Sequence, residues 1–389
     1  MSPAGTQRAD GPAPLFAFPI VNFMSICRLA QTGANMGTAM ESAVRKLMCA
    51  VAGVVGLTSV AAQSAPFDSL YLFGDSLLDS GNSYLLTGGV YPVSPPYAGV
   101  FSNGPVASQV LAARLGLPLV PSVLGGNNFA TNGSTSNSEN IAGDDYGTGL
   151  GIDAIKPLVG IGLEDQVDAF QSRNISPDGL SDALFVVWAG ANDAFMLGSQ
   201  LEQYPPPPDV DIGALFFQAG LSAAQHVENE ILQLAAAGAQ TMLIGNLPNL
   251  AHLPITPDVL DPAFEAFLFA FSTQFLDAEF FAALAAANPT TQIKLFDAYG
   301  LFEEAVAGGF GFANTTDPCL PTLGPFPADA PCGDPDSYLF WDSIHPTAKA
   351  HQILGNAMYA AVVPEPHSLL LIALTLGGIA IARRRRAAD

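Results

Sequence analysis

Basic residues are scarce in this chain and unevenly placed. Its 389 residues hold 13 Lys+Arg against 35 Asp+Glu, a formal net charge of −22. Four of the cations, Arg8, Arg28, Arg45 and Lys46, precede residue 66, and four more, Arg383 to Arg386, lie at the end. Arg114, Lys156, Arg173, Lys294 and Lys349 alone serve residues 66–363, where 31 acidic residues remain once Asp10, Glu41, Glu365 and Asp389 are set aside. That stretch therefore has a net charge of −26. Such a surface repels phosphate backbones, which excludes nucleic acid as a partner. Cysteine is also rare: four residues are too few for a disulfide-built scaffold. Histidine numbers five, and no His/Cys/Asp spacing calls for a metal, so no cofactor is expected. The acyl-transfer motif Gly-x-Ser-x-Gly occurs nowhere, which argues against the α/β-hydrolase superfamily. Apolar residues are not lacking: at 49% they can fill a sizeable core, which argues against intrinsic disorder.

The two ends read as an address. Arg45 and Lys46 precede the apolar run Leu47 to Leu57, and small residues follow at Ala62-Gln63-Ser64. A basic n-region, an apolar h-region and a small-x-small site make residues 36–64 a signal peptide, with a buried N-terminal helix as the alternative. Residues 1–35 are an extension without clean periodicity, and Met36 or Met40 is the preferred start. The other end, residues 363–389, runs Val363-Pro-Glu-Pro366, an apolar stretch Leu369 to Ala382, then Arg383 to Arg386. Fourteen apolar residues are marginal for a membrane span, and snorkelling arginines extend it. This order resembles the PEP-CTERM sorting tail of Gram-negative bacteria; an ordinary C-terminal anchor is the alternative. The resemblance implies export across the inner membrane to the surface or extracellular matrix. It also implies transient membrane anchoring, and processing near Pro364-Glu365-Pro366 by an exosortase-type enzyme. In an oxidising compartment Cys319 and Cys332, in a loop rich in Pro, Gly and Asp, are expected to pair, with two free thiols as the alternative. A bridge closing so short a loop stabilises by about 3 kcal/mol.

Residues 66–362 read as one domain. Short apolar runs at Leu70–Phe73, Ala183–Trp188, Thr241–Gly245 and Ile293–Phe296 predict strands, with Leu117–Val120 a weaker one. Helical spacing covers Val106–Leu115, Leu163–Ser172, Ile212–Ala237, Pro262–Ala287 and Thr347–Ala361. Strands separated by helices predict a parallel sheet covered on both faces. Ligands of such a sheet bind beyond the carboxyl ends of its strands.

Three stretches place chemistry at those ends. The first strand runs into Gly74-Asp75-Ser76, the second ends at Gly190-Ala-Asn192-Asp193, and Asp342-Ser-Ile-His345-Pro346 precedes the last helix. Pro346 suits a first helical position. A serine hydroxyl is a weak nucleophile until a base takes its proton. Asp342 can fix the His345 tautomer through Nδ1 while Nε2 faces Ser76. The Ser76 N–H and the Asn192 amide are available to an oxyanion, each donor being worth roughly 3 kcal/mol of barrier. A third donor is expected from the loop Gly126–Gly133.

At these residues the chain resembles the GDSL/SGNH hydrolases. Phe73 to Asn82, Phe101-Ser-Asn-Gly-Pro105, Asn128 to Gly133, Gly190 to Asp193 and Phe340 to Pro346 match that family's blocks in order. The resemblance implies a three-layer α/β/α sandwich with a central parallel sheet, of flavodoxin-like type. It implies Ser76 as nucleophile, His345 as base, Asp342 as its orienter, and Ser76, Gly133 and Asn192 as oxyanion donors. Relatives often carry Gly-Gly where this chain has Asn132-Gly133. The expected activity is a secreted serine esterase or lipase acting on small-molecule, lipid or acylated-glycan esters. A deacetylase of extracellular polysaccharide and a non-catalytic surface module are the alternatives. Asp75 and Asp193 are rivals of Asp342 whose expected work is to bind loop N–H groups. The Phe and Leu stripe in residues 264–281 is expected to be core rather than an acyl groove.

Overall fold

The structure, a computed structural model, describes residues 66–143, 153–256, 261–321 and 330–363. The expected signal peptide and sorting tail lie outside them, apart from Val363. Four strands, β1 (Ser69–Gly74), β2 (Ala183–Trp188), β3 (Thr241–Gly245) and β4 (Gln292–Phe296), form a parallel sheet in that spatial order. Every residue of β2 is buried, as expected of a strand covered on both faces. Alternation divides its side chains: Leu184, Val186 and Trp188 enter one core, and Ala183, Phe185 and Val187 the other.

Nine helices are described: α1 (Asn82–Leu86), α2 (Ala107–Leu115), α3 (Leu163–Gln171), α4 (Ala191–Gln203), α5 (Ile212–Ala237), α6 (Asp261–Gln274), α7 (Ala278–Ala287), α8 (Ala298–Val306) and α9 (Ala348–Val362). Leu111 and Leu115 of α2 join Met358 and Val362 of α9 over one face of the sheet. Val167 of α3, Ile231 of α5 and Phe267 of α6 pack over the other. This is the expected three-layer α/β/α sandwich.

Leu117–Val120 is not a strand. Pro118 lies inside it and Pro121 follows it, and each lacks the N–H a ladder needs. Residues 127–131 take the edge beside β1 instead. Leu72 N donates to Asn127 O at 3.1 Å, Phe129 N to Leu72 O at 2.8 Å and Thr131 N to Gly74 O at 3.1 Å. Counting that segment as second in the chain, the spatial order becomes 2-1-3-4-5, that of flavodoxin-like folds. The order reverses between β1 and β2, and there the crevice opens.

The single helix expected over residues 262–287 is two, α6 and α7, bent by 48°. Leu276 between them adopts φ 57°, its N–H donates to Glu228 Oε1 at 2.7 Å, and Asp277 caps α7 by accepting from Phe280 N at 2.8 Å. Of the stripe in residues 264–281, Phe264, Phe267 and Phe271 are core, as expected, whereas Phe269 and Phe281 are exposed. Among the described residues no single helix is long and apolar enough to cross a membrane. A short parallel pair, β5 (Asn314–Pro318) and β6 (Tyr338–Phe340), stands apart from the main sheet. Cys319 and Cys332 are disulfide-bonded, and Cys319 N and Leu320 N continue the pairing onto Phe340 O and Trp341 O.

Candidate active site

Only glycine fits the end of β1. Gly74 has φ 149°, and a Cβ there would lie 2.1 Å from Trp188 O. The chain can thus pass close over β2 and turn through Asp75 and Ser76 above the sheet. Asp75 holds the turn: its carboxylate accepts from Leu77 N at 3.0 Å and its carbonyl from Leu78 N and Asp79 N. Asp79, buried, accepts from the N–H groups of Gly81, Asn82, Ser83 and Asn132 and from the Ser83 hydroxyl. It thereby ties the β1 turn to the Gly133 loop.

Ser76 Oγ lies 2.9 Å from His345 Nε2, although 269 residues separate the two. On the far side of the ring, Nδ1 lies 2.8 Å from Asp342 Oδ2 and 3.0 Å from Oδ1. The Asp342 Oδ1 atom also accepts from Ile344 N at 2.8 Å and His345 N at 2.7 Å, so one carboxylate shapes its own loop and aims the ring. Tyr97 Oη donates to Asp342 Oδ2 at 2.6 Å. Burial pushes the Asp342 carboxyl up, but the imidazole beside it and the hydrogen bonds from His345 and Tyr97 outweigh that, and it is held below the usual carboxylate value.

The expected rivals of Asp342 have other partners. Asp193 accepts from Ser136 N at 2.9 Å and Ser136 Oγ at 2.5 Å. Burial pushes Asp75 and Asp193 each up to about 6. His351 is buried in α9, its Nδ1 accepts from Ala107 N at 3.2 Å, and burial lowers it to about 3. Pro346 is not the first helical residue. It bridges back to Phe340, and Thr347 is the cap of α9, accepting from Ala350 N at 3.4 Å.

The Phe101–Pro105 block clamps this loop. Phe101 packs 5.3 Å from the His345 ring, Ser102 Oγ donates to Pro346 O at 2.9 Å, and Asn103 Oδ1 accepts from Ala348 N at 2.8 Å.

Gln166 of α3, which the sequence reading did not single out, joins the remaining parts. Buried, it accepts from Gly74 N at 2.8 Å through Oε1, while Nε2 donates to Gly74 O at 2.8 Å and Ser134 Oγ at 2.9 Å. Asn192 Nδ2 donates to Ser134 O at 2.9 Å, and among the described residues its other amide hydrogen has no acceptor. Gly133 adopts φ 76°, and its carbonyl accepts from Ile141 N at 2.8 Å. The Asn132 carbonyl accepts from Asn140 Nδ2 at 2.8 Å, and a trans peptide turns the Gly133 N–H to the opposite side. Among the described residues, neither the Ser76 N–H nor the Gly133 N–H has an acceptor within the protein. No group of His, Cys, Asp and Glu among the described residues is arranged to hold a metal ion.

A three-layer α/β/α sheet with a hydrogen-bonded Ser-His-Asp chain at its switch point defines a serine-hydrolase class. Residues 70–358 match the family described as GDSL-like Lipase/Acylhydrolase, and the chain belongs to that family of ester-hydrolysing enzymes. Residues 362–386 match the PEP-CTERM protein-sorting motif, which marks it for export. The chain is 27% identical to a phosphatidylcholine-sterol acyltransferase of Aeromonas hydrophila, over 80% of this chain and 96% of that one. It is 24% identical to GDSL esterase/lipase 6 of Arabidopsis thaliana, over 82% and 93% of the two chains. It is 28% identical to inactive GDSL esterase/lipase-like protein 23 of the same plant, over 78% and 82%.

Proposed function

We propose that the chain is an exported serine esterase that cleaves carboxylic esters through an acyl-enzyme. The observation that carries this reading is the unbroken hydrogen-bond chain from Ser76 Oγ through His345 to Asp342. As Ser76 Oγ attacks the ester carbonyl, its proton passes to His345 Nε2. Asp342 holds the ring in the Nδ1–H tautomer and stabilises the imidazolium. The N–H groups of Ser76 and Gly133 and the Asn192 amide receive the developing oxyanion. The alcohol departs with the proton from Nε2. Water then attacks the acyl-serine, gives a proton to Nε2, and the acid leaves as that proton returns to Ser76.

Residues 66–362 form the hydrolase domain in this reading, and residues 36–64 direct export. The tail from 363 to 389 anchors the chain in the inner membrane until an exosortase-type enzyme processes it near Pro364-Glu365-Pro366. Export of this kind leads to the cell surface or extracellular matrix of a Gram-negative bacterium.

The test is turnover of nitrophenyl esters, beside an acetylated glycan, by the full-length protein and by Ser76→Ala. Loss of at least about a thousandfold in kcat on the esters is expected, from the measured cost of removing such a nucleophile. Equal turnover by both proteins removes Ser76 from the mechanism, and preference for the glycan replaces the esterase by a deacetylase.

A further inference from the structure

Beside Ser76 the molecule keeps an apolar space that the mechanism above does not use. It lies between α8 and α9. Ala298, Leu301, Phe302 and Ala305 line it from α8, at the spacing of one helical face, and Ala350, Ile353 and Leu354 line it from α9. Phe310 and Phe312 contribute from the segment that follows α8. The polar side chains Asp75, Ser76 and Asn192 line the same space, and they belong to the candidate active site. An apolar chamber whose polar residues belong to the reacting centre is laid out for a ligand that is reactive at one end and aliphatic at the other.

The space is kept open by side-chain size. Ala298, Ala305 and Ala350 stand where larger apolar residues would fill it, and each is itself buried. Protein cores close such voids, because unfilled apolar space forfeits contacts and weakens the fold. A chamber retained next to a nucleophile is therefore ligand space.

Resting on the esterase reading, we propose that this chamber binds the acyl chain of the substrate and sets a preference for aliphatic acyl groups longer than acetyl. The acyl group, not the alcohol, belongs there, because it stays bonded to Ser76 while the alcohol leaves and water enters. The chamber between packed helices suits the part that remains, and the open side of the crevice suits the part that exchanges. Each methylene transferred from water into the chamber raises kcat/KM about fourfold, from the free energy of burying one methylene.

The test measures kcat/KM of the full-length protein on nitrophenyl esters from acetate to dodecanoate, below their micellar concentrations. Expected are a rise of about fourfold per methylene from acetate to hexanoate and a hexanoate-to-acetate ratio on the order of a hundred. Ala305→Phe fills the chamber from α8 and should cut that ratio below about ten. If Ala305→Phe loses its cooperative thermal transition, Ala350→Leu fills it from α9 and is read in the same way. A wild-type series that is flat or falls from acetate overturns the proposal. So does a folded filling variant that keeps the wild-type ratio. Failure of the esterase reading looks different: Ser76→Ala then turns over the whole series as fast as wild type.

Discussion

Tyr97 donates to the Asp342 oxygen that also faces the His345 ring, and it does so from a position 245 residues away. A hydrogen bond to a charged, buried acceptor is worth about 1.5–3 kcal/mol, and part of that is felt by the imidazole that Asp342 aims. Tyr97→Phe is expected to lower kcat about tenfold with KM little changed. The pH profile separates this from a packing defect. Asp342 is pushed up by burial and held below its ordinary value by His345 and Tyr97 together. Removing one donor to its charged form raises it, so the acid limb of kcat/KM moves to higher pH in Tyr97→Phe. An unmoved limb means that Tyr97 merely fills space. Neither Tyr97 nor Gln166 was legible in the sequence. A tyrosine among prolines and a glutamine on an amphipathic helix look like surface, and their work exists only after distant segments meet. Ser76, Asp342 and His345 were legible because short local blocks announce them: Gly-Asp-Ser at a strand end, and Asp-x-x-His before a helix.

At the scale of elements, the four strands were legible because apolar runs of strand length between helical patterns have few other readings. The break between α6 and α7 was not, since the acceptor that holds Leu276 is Glu228 on another helix. The chamber was hidden for a related reason. Ala298, Leu301, Phe302 and Ala305 have the spacing of any buried helical face, and sequence does not say whether that face meets a neighbour or a space. Helix α3 makes a prediction of its own, because Gln166 joins the end of β1 to the Ser134 loop and, through Ser134 O, to Asn192. Gln166→Ala leaves the buried Gly74 N–H without that partner, at about 1–3 kcal/mol, while the Gly74 carbonyl keeps its bond from Thr131 N. The expected outcome is a lower melting temperature together with a fall in kcat of tenfold or more at nearly constant KM, because the Ser76 turn, the Gly133 loop and the Asn192 amide, to which the proposal gives the chemistry, lose a common reference. Calorimetry and steady-state kinetics on one preparation check both; a drop in stability with kcat intact would sink the positioning role.

For the molecule as a whole, protons favour the folded state over an unusual range. Burial raises Asp75 and Asp193 to about 6 and Glu230 to about 7, with nearby Glu164 and Asp168 adding to the last. A carboxyl raised on folding contributes stability that is full below its unfolded value near 4 and is lost as pH rises through its folded value. His351, lowered to about 3, acts the other way: its contribution is full above about 6.5 and is lost as pH falls. Between about pH 5 and 8 three groups oppose one, and acidification also relieves the repulsion within a stretch of net charge −26. The melting temperature is therefore expected to be higher near pH 5.5 than at pH 8, and Asp193→Asn should shrink the difference. A scan that is level across this range, or reversed, contradicts the assignment. The long reach of the Ser76–His345 contact has one more consequence, for the time at which the enzyme becomes live. The loop bearing the base is clamped by Ser102 and Asn103 near the beginning of the domain, yet it is among the last parts to be synthesised. With Ser76 as the nucleophile, a chain whose last segments have not yet docked carries a serine without its imidazole, and it stays inactive until they do.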